Sequence, residues 1–271
     1  MRLGISSFTY VWSVGVPGYE QPVQPLTAWG LLDKAVELGV HVVQIGDNLP
    51  LNLFSQDARR RLARHAETAG ISLEIGIAGI ERKELLRGLA IASECGSPIL
   101  RVLLDTNGNE PSVDEVVSTL GGIAADFERD NVVIAIENHD RFNSMTLRRI
   151  VERIGSRNVG ICFDTANSIG CLESAEHVLE TLGPFIVNVH LKDFRVFRPP
   201  HNKGFVVEGC AAGQGQLDVG RILRRVSELE RESNLILELW PPPQATLADS
   251  IALESRWALE SIRYLRQFVP G

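Results

Sequence analysis

Short apolar runs alternate with amphipathic stretches along the whole chain, and this alternation constrains the fold more than any other feature. The apolar runs have the length and composition of strands that are buried on both faces. Between them, apolar residues recur every three or four positions, as in helices that pack one face on a core. Eight such strand–helix units within 271 residues predict an α/β fold, a single (β/α)8 TIM barrel. We expect one domain over residues 1–271, because the proline-rich segments at 199–200 and 241–243 lie in loops.

The predicted elements follow from these periods and from cap residues. The predicted strands are residues 3–7, 42–45, 72–75, 99–104, 132–137, 159–163, 186–191 and 235–239. The predicted helices are residues 27–38, 55–68, 82–94, 112–128, 144–154 and 174–182, a segment that begins near Asp218, and residues 248–268. Thr27 is expected to cap the first of these helices, and Gly39 to end it.

Four of the apolar runs end on a side chain that can bind a metal ion. These side chains are Glu137 in VVIAIENH, Asp164 in VGICFDTAN, His190 in IVNVHLKD and Glu238 in LILELW. Taken singly, each carboxylate is explained as a loop hydrogen-bonding group and the histidine as a satisfied core residue. Together they fall at the carboxyl ends of barrel strands, where barrel active sites lie, and unpaired carboxylates buried together would be costly. The pattern predicts one divalent ion, with Mn²⁺ expected first and Mg²⁺, Co²⁺ or Zn²⁺ as alternatives.

Lys192 is the cation that the strand pattern places beside this quartet. It lies two residues after His190 and so shares the barrel-facing side of the strand, whereas Asp193 is expected to point outward. Lys192 would then stabilise an enolate or bind a substrate carboxylate as a catalytic residue. The alternative is a solvated loop lysine.

Further polar residues near strand ends are candidates for substrate binding. Arg101 shares a face with Asp105, and the two are expected to pair, although Arg101 is also a candidate for substrate binding. His139 lies two residues after Glu137 and is expected to contact substrate or a carboxylate behind the ligands. Asn167 follows the Asp-Thr pair of CFDTAN and is a third candidate.

Aromatic residues and one long loop complete the predicted site. Trp12 and Trp240, with Phe8 and Tyr10, would form an aromatic wall over a sugar-like ligand, or else belong to the core. The segment 194–209 is long for a barrel loop and basic, and Arg195 makes it a predicted lid or specificity loop over an anionic ligand. A surface or subunit contact is the alternative. The segment 213–216, GQGQ, is a candidate anion cradle before the helix at Asp218.

Composition limits the class of partner. The net charge of -7 disfavours nucleic acid and anionic membranes, so a small polar substrate, a sugar or sugar acid, is expected. The apolar runs are far shorter than the roughly 20 residues of a membrane-spanning helix. The chain begins with MRLGISSF, which has no signal-peptide character, and its 4 cysteines form no CxxC pair. We therefore expect inert thiols and a cytoplasmic location, and a homo-oligomer is possible.

With these residues in hand, the chain resembles the xylose isomerase-like TIM-barrel superfamily of sugar isomerases, epimerases and inosose dehydratases, to which endonuclease IV is related. The resemblance rests on AIENH, CFDTAN, VHLKD, GQGQLD and ELW and covers nearly the whole chain. It implies that Glu137, Asp164, His190 and Glu238 bind one divalent metal ion. In the ketose 3-epimerase branch, the two glutamates also move protons.

Three positions depart from that epimerase branch. Asn167 stands where those enzymes often carry a histidine, Arg195 matches their arginine only approximately, and Lys192 replaces a small residue. These changes suit a substrate that has a carboxylate.

Two enzyme functions follow from the sequence. The first is a sugar isomerase or epimerase that acts on an α-hydroxycarbonyl sugar, keto-sugar or sugar acid through a metal-bound enediolate, with Glu137 or Glu238 as base. The alternative is a lyase on the same scaffold, a keto-sugar-acid decarboxylase or an inosose-type dehydratase. Two further alternatives are an endonuclease IV-like nuclease, which the charge disfavours, and a non-catalytic sugar-binding barrel.

Overall fold

The computed structural model describes residues 1–106, 108–229 and 231–270. Within these residues the strands, β1 to β10 in chain order, are Leu3–Ser6, Val42–Ile45, Ser72–Ala78, Ile99–Leu103, Val133–Glu137, Val159–Asp164, Ile186–Leu191, Asp193–Phe197, Val206–Cys210 and Asn234–Leu237. The α-helices, α1 to α10, are Val11–Val14, Ala28–Leu38, Gln56–Thr68, Arg82–Cys95, Val113–Gly121, Ala124–Arg129, Ser144–Ile154, Ala175–Leu182, Val219–Ser227 and Leu247–Leu265.

The first seven strands and β10 form a closed barrel in the order β1-β10-β7-β6-β5-β4-β3-β2, and neighbouring strands are parallel. The predicted (β/α)8 barrel is therefore confirmed. Parallel strands around a barrel bring all their carboxyl ends to one mouth, and this geometry gathers side chains that are far apart in sequence.

The predicted caps form at α2. The Thr27 side chain accepts from the backbone N–H of Gly30, and Gly39 ends the helix with a φ of 65°. This left-handed conformation favours glycine, because a Cβ atom would be strained there.

Two predicted elements differ from the structure. The helix expected at 112–128 is split into α5 and α6, which are joined through Gly122 and Ile123. The segment 194–209 is not an irregular loop, because it pairs as an antiparallel hairpin of β8 and β9 outside the barrel. The strand β8 alternates in exposure, whereas β9 passes from exposed residues at its start to buried residues at its end, so a period of two does not mark the whole hairpin in the sequence.

A bulge between β6 and β7 sets which residues of β7 face the barrel interior. The register shifts at Ile161 and Cys162, so that Cys162 pairs with Asn188 and Asp164 pairs with His190. Because side chains alternate with a period of two, a shift of one residue decides which set points inward. The bulge thus brings the His190 side chain to the same mouth as Asp164.

The carboxylate of Glu254 on α10 ties the amino-terminal segment to the end of the chain. One of its oxygens accepts from the backbone N–H of Trp12 at 2.7 Å, and the other from that of Ser13 at 2.8 Å. Burial is the main cause that raises the pKa of Glu254 to about 7, although these hydrogen bonds lower it. Among the described residues, no helix is long and apolar enough to cross a membrane.

The raised pKa of Glu254 predicts a pH-dependent stability. A raised folded-state pKa gives a contribution that is fully present below the unfolded pKa, about 4.5, and is lost as the pH rises through about 7. Relative to Glu254→Gln, the wild type should therefore lose roughly 2–3 kcal/mol of unfolding free energy between these pH values. Urea unfolding at several pH values measures it, with Glu260→Gln on the same helix as a control for charge removal. A constant difference between wild type and Glu254→Gln would contradict the assignment.

Candidate metal centre and active site

Four buried side chains converge at the carboxyl end of the barrel, and they are the quartet that the sequence singled out: Glu137, Asp164, His190 and Glu238. Glu137 and Asp164 are the last residues of β5 and β6, His190 lies in β7, and Glu238 directly follows β10. Each of the four offers one ligand atom, and all four atoms lie within 4.8 Å of one another. The structure thus brings together residues that are up to about a hundred positions apart in sequence.

The His190 ring faces three carboxylates. Its Nδ1 atom lies 3.4 Å from Glu238 Oε1, 3.7 Å from Glu137 Oε1 and 3.9 Å from Asp164 Oδ2. Among the described residues, this nitrogen is buried without a hydrogen-bond partner. A nitrogen left without a partner among convergent carboxylate oxygens is the arrangement that a divalent cation would satisfy. The donor set, three carboxylates and one imidazole, fits such an ion.

Two of the carboxylates, Glu137 and Asp164, also form ion pairs with basic side chains of the protein. Asp164 Oδ2 and Glu137 Oε2 lack hydrogen bonds by strict geometry, yet Asp164 forms an ion pair with Lys192, and Glu137 with Arg101. We regard both as charge-paired, because Coulomb attraction requires proximity and not an aligned N–H bond. His190 Nδ1 is therefore the clearer sign of a metal site.

Cys162 also lies beside Glu137 and His190 and is an alternative ligand. Its thiol donates to Asn188 Oδ1 at 3.4 Å. Burial is the main cause that raises the pKa of Cys162 to about 11, and the group therefore stays a neutral thiol at neutral pH. The carboxylates are better ligands than this thiol.

Lys192 connects the buried quartet to the cavity above it. Its Nζ atom lies 2.9 Å from both Asp164 Oδ2 and Glu238 Oε2. Burial acts to lower the pKa of Lys192, but the carboxylates of Asp164 and Glu238 raise it above its ordinary value, so the ammonium keeps its charge. Lys192 was expected over the site from its spacing to His190, and its side chain is found there.

Arg101 does not pair with Asp105, and that expectation is wrong. Its Nη1 atom donates to Asp47 Oδ1 at 2.8 Å, and its Nε atom forms an ion pair with Glu137. Asp105 is bound instead by Arg141, whose Nε donates to Asp105 Oδ2 at 2.8 Å. Asp47 follows β2, a partner that residue spacing along β4 could not reveal. Arg101 is 4% exposed and contacts Glu137. It is not among the described residues that line the cavity beside Lys192.

Neighbouring cations oppose the effect of burial on the pKa values of Glu137 and Glu238. Burial raises the pKa of Glu137, but Arg101 and then His190 hold it well below its ordinary value. Burial likewise raises the pKa of Glu238, and His190 and Lys192 lower it below its ordinary value. Both side chains are therefore carboxylates near neutral pH, as metal ligands must be.

Two asparagines orient the ligands. Asn167 Nδ2 donates to Glu137 Oε1 at 2.8 Å, and Lys192 Nζ lies 3.4 Å from Asn167 Oδ1. Asn138, which the sequence analysis did not single out, accepts from the backbone N–H of Asp164 at 2.7 Å and donates to its carbonyl at 2.9 Å. Its place between Glu137 and His139 in AIENH was the available signal.

A cavity of about 410 Å³ lies above Lys192. Phe8, Trp12, Tyr19 and Trp240 form its aromatic part, and Lys192 is the only charged residue among the described residues that line it. Tyr10 was expected in this wall, but it is 2% exposed and belongs to the core. Trp12 and Trp240 thus line the cavity at the positions where a substrate would meet them.

His139 and Arg195 lie away from the quartet. The strand ends at Glu137, so the period of two does not extend to His139, which is half-buried and pairs with Asp140. Arg195 is exposed on the hairpin, opposite Glu208. Neither side chain contacts the quartet among the described residues, and substrate contact by His139 and Arg195 stays a prediction.

The GQGQ turn does cradle an anion, and the anion is a side chain of the protein. The Asp193 carboxylate is buried and accepts from the backbone N–H groups of Gly213 at 2.9 Å and Gly215 at 3.0 Å. This contact fixes the base of the hairpin. Trp240 donates to the Asp193 carbonyl at 3.3 Å and packs so closely on Gly209 that a Cβ atom there would lie 1.8 Å from the indole.

The fold and the site define a parallel barrel enzyme scaffold with a candidate divalent-metal centre at its mouth. The family profile described as xylose isomerase-like TIM barrel matches residues 32–267. The chain belongs to this family, and the resemblance inferred from its motifs is confirmed.

The similar proteins include a decarboxylase and sugar epimerases. A 3-oxo-isoapionate decarboxylase from Pectobacterium atrosepticum is 30% identical over 267 residues, which cover 98% of this chain and 95% of that protein. Among solved structures, a D-psicose 3-epimerase in the presence of D-fructose has a TM-score of 0.74 at 16% identity, with 100% of both chains covered. The IOLI protein with a zinc atom has a TM-score of 0.68 at 16% identity, again over 100% of both chains. The two structural likenesses establish the fold alone.

The unpartnered His190 Nδ1 predicts that the purified protein binds about one divalent ion per chain, because this nitrogen faces three carboxylates that are paired with two cations, Arg101 and Lys192. Elemental analysis after loading with Mn²⁺ should show this ion in the wild type and its loss in His190→Ala. His65→Ala, which removes an exposed histidine of α3, is the matched control and should retain it. Equal metal content in His190→Ala and wild type would exclude His190 as a ligand.

Proposed function

We propose that this protein is a divalent-metal-dependent lyase that decarboxylates a 3-oxo sugar acid. The observation that carries the proposal is the place of Lys192, whose ammonium touches Asp164 and Glu238 and also lines the cavity. The relative that is 30% identical over 98% of the chain, a 3-oxo-isoapionate decarboxylase, supports the same reaction.

Glu137, Asp164, His190 and Glu238 would hold the ion, through three carboxylates and one imidazole nitrogen. Bound there, a divalent ion would supply Lewis-acid polarisation of the substrate carbonyl and neutralise negative charge. Arg101 and Asn167 keep Glu137 in place, and Asn138 keeps the backbone of Asp164 in place.

Lys192 would stabilise the charge that develops when carbon dioxide leaves. In a 3-oxo acid, the bond between the carboxyl carbon and the α-carbon breaks, and its electron pair passes to the carbonyl oxygen as an enolate. A buried ammonium at the floor of the cavity lowers the free energy of that anion more than a solvated one would. The enolate carbon is then protonated, and the Lys192 ammonium is the charged donor among the described residues that line the cavity.

The aromatic residues would form the walls around the sugar portion. Trp12 and Trp240 line the cavity, and the indole of Trp12 is held by a 3.0 Å hydrogen bond to the Pro241 carbonyl. Rigid aromatic faces pack on the C–H surfaces of sugars at small entropic cost.

Isomerisation or epimerisation is the second candidate, because two buried glutamates flank His190 and either could serve as a base. However, Glu137 is paired with Arg101, and Glu238 with Lys192. A neighbouring cation lowers the basicity of a carboxylate and thus weakens it as a proton acceptor. These pairs favour anion stabilisation over proton abstraction, and they are the reason for placing the lyase first.

Product analysis distinguishes the two reactions. Mn²⁺-loaded protein is offered 3-oxo sugar acids labelled with ¹³C in the carboxyl group, and keto-sugars, in deuterated water. The proposal expects release of ¹³CO₂ well above the rate without enzyme, with solvent deuterium at the carbon that lost it. A product of unchanged carbon count with deuterium at the α-carbon would establish isomerase or epimerase activity instead. Ligand binding without any turnover would indicate a sugar-binding protein.

Lys192→Met should lower the rate of decarboxylation by about 10² or more, because it removes the cation that stabilises the enolate. Its Mn²⁺ content should remain near that of the wild type, since Lys192 is not a ligand in this proposal. Lys203→Met, at an exposed position of the hairpin tip, is the matched control and should keep full activity. Wild-type turnover by metal-loaded Lys192→Met would contradict the proposed role.

A further inference from the structure

A second group of polar side chains lies inside the barrel, on the side of His190 away from the cavity. It consists of Gln44 on β2, Glu74 on β3, Asn188 on β7 and Asn234 on β10. Glu74 is 0% exposed, and Gln44 is 1% exposed. Barrel interiors are usually filled by branched apolar side chains, so a carboxylate at this position calls for an explanation.

The Glu74 carboxylate is surrounded by amide donors. Its Oε2 atom accepts from Gln44 Nε2 at 3.0 Å and from Asn188 Nδ2 at 2.9 Å, and its Oε1 atom accepts from Asn234 Nδ2 at 2.7 Å. Burying a carboxylate is costly even when it is hydrogen-bonded, and an apolar side chain of similar size would avoid that cost.

The direction of these hydrogen bonds determines the orientation of Gln44. The amide of Gln44 presents its NH₂ group to Glu74 Oε2, and the same group donates to Asn188 Oδ1 at 3.2 Å. Asn188 is itself held by its Nδ2 group, which donates to Glu74 Oε2, so Glu74 orients Gln44 both directly and through Asn188. The carbonyl oxygen of Gln44, Oε1, then faces the other way and lies 2.7 Å from His190 Nε2. A carbonyl oxygen only accepts, and His190 Nε2 must therefore carry a hydrogen.

The tautomer of His190 follows from that contact once the ring is the neutral imidazole that a metal ligand must be. When Nε2 carries the hydrogen in a neutral imidazole, the lone pair is on Nδ1. Nδ1 is the atom that faces Glu137, Asp164 and Glu238 and has no hydrogen-bond partner among the described residues. With the opposite orientation of Gln44, an NH₂ group would face Nε2 and would favour the hydrogen on Nδ1, where it blocks metal binding.

We propose that Glu74 is a positioning residue that fixes the tautomer of His190 through Gln44 and so prepares Nδ1 as a metal ligand. The proposal rests on the metal site of the proposed function, but not on which reaction that site catalyses. It assigns a role to a buried carboxylate that touches neither the cavity nor the ligand cluster.

The test compares the affinity for Mn²⁺ of variants in the hydrogen-bonded chain from Glu74 through Gln44 to His190. Glu74→Met removes the carboxylate that accepts from Gln44 and that also holds Asn188, the other acceptor of Gln44 Nε2, and Gln44→Leu removes the acceptor of His190 Nε2. Each should raise the Mn²⁺ dissociation constant by about 10- to 100-fold and alter the visible absorption of the Co²⁺-loaded protein. Glu74→Gln retains an oxygen that can face Gln44 and should recover most of the affinity.

A double-mutant cycle separates positioning from a general effect on the fold. If Glu74 acts through Gln44, the variant with both substitutions should bind Mn²⁺ no more weakly than the worse single variant. Asn234→Ala is the matched control, because it removes a donor to Glu74 and leaves the contacts from Glu74 through Gln44 to His190 in place. It should change the dissociation constant by no more than about threefold.

Two outcomes would overturn the proposal. The first is that the effects of Glu74→Met and Gln44→Leu on the Mn²⁺ dissociation constant multiply in the double variant, which would show that the two residues act independently. The second is that folded Glu74→Met keeps the wild-type Mn²⁺ affinity and Co²⁺ spectrum, which would show that Glu74 has no such role. If the wild type binds no ion, the metal site of the proposed function fails as well. Absence of decarboxylation alone, with His190-dependent binding of Mn²⁺ intact, would contradict the proposed reaction and leave this test decisive.

Discussion

Three carboxylates and one imidazole share a small buried space at the mouth of this barrel, and their electrostatic balance organises the surrounding structure. Like charges at such separations, away from water, require cations. The chain supplies two, Arg101 beside Glu137 and Lys192 between Asp164 and Glu238. The imidazole nitrogen at the centre has no partner in the described part of the chain. The site is therefore built around a position that a divalent ion would fill.

The barrel fixes this arrangement from several strands at once. The bulge between β6 and β7 places His190 beside Asp164, Asn138 holds the backbone of Asp164, and Asn167 holds Glu137. Substrate would approach from the opposite side, where Lys192 lies below an aromatic cavity. Ligands supported from behind and a cation facing the cavity suit a reaction in which negative charge develops on the substrate.

The sequence predicted the parts of the site that depend on local pattern. The apolar runs marked the barrel strands, and the period of two placed Glu137 and His190 at the mouth. Lys192 and His139 lie one and two residues past their strands, where the period no longer determines direction. Lys192 lines the cavity as expected, whereas His139 pairs with Asp140 and its contact with substrate stays a prediction. The partners of Arg101 and Asp193 come from other strands and turns, Asp47 and the GQGQ turn, so only the closed barrel reveals them. Gln44 and Glu74 were invisible for the same reason, since their role depends on contact with His190.

The metal site is tested most directly by a crystal structure of the Mn²⁺-loaded protein, with an anomalous difference map that locates the manganese. The account predicts one peak per chain, bonded to Nδ1 of His190 and to carboxylate oxygens of Glu137, Asp164 and Glu238, while His190 Nε2 stays on Gln44. A map without a peak among these four residues, or with manganese bonded to Nε2 of His190, would contradict it.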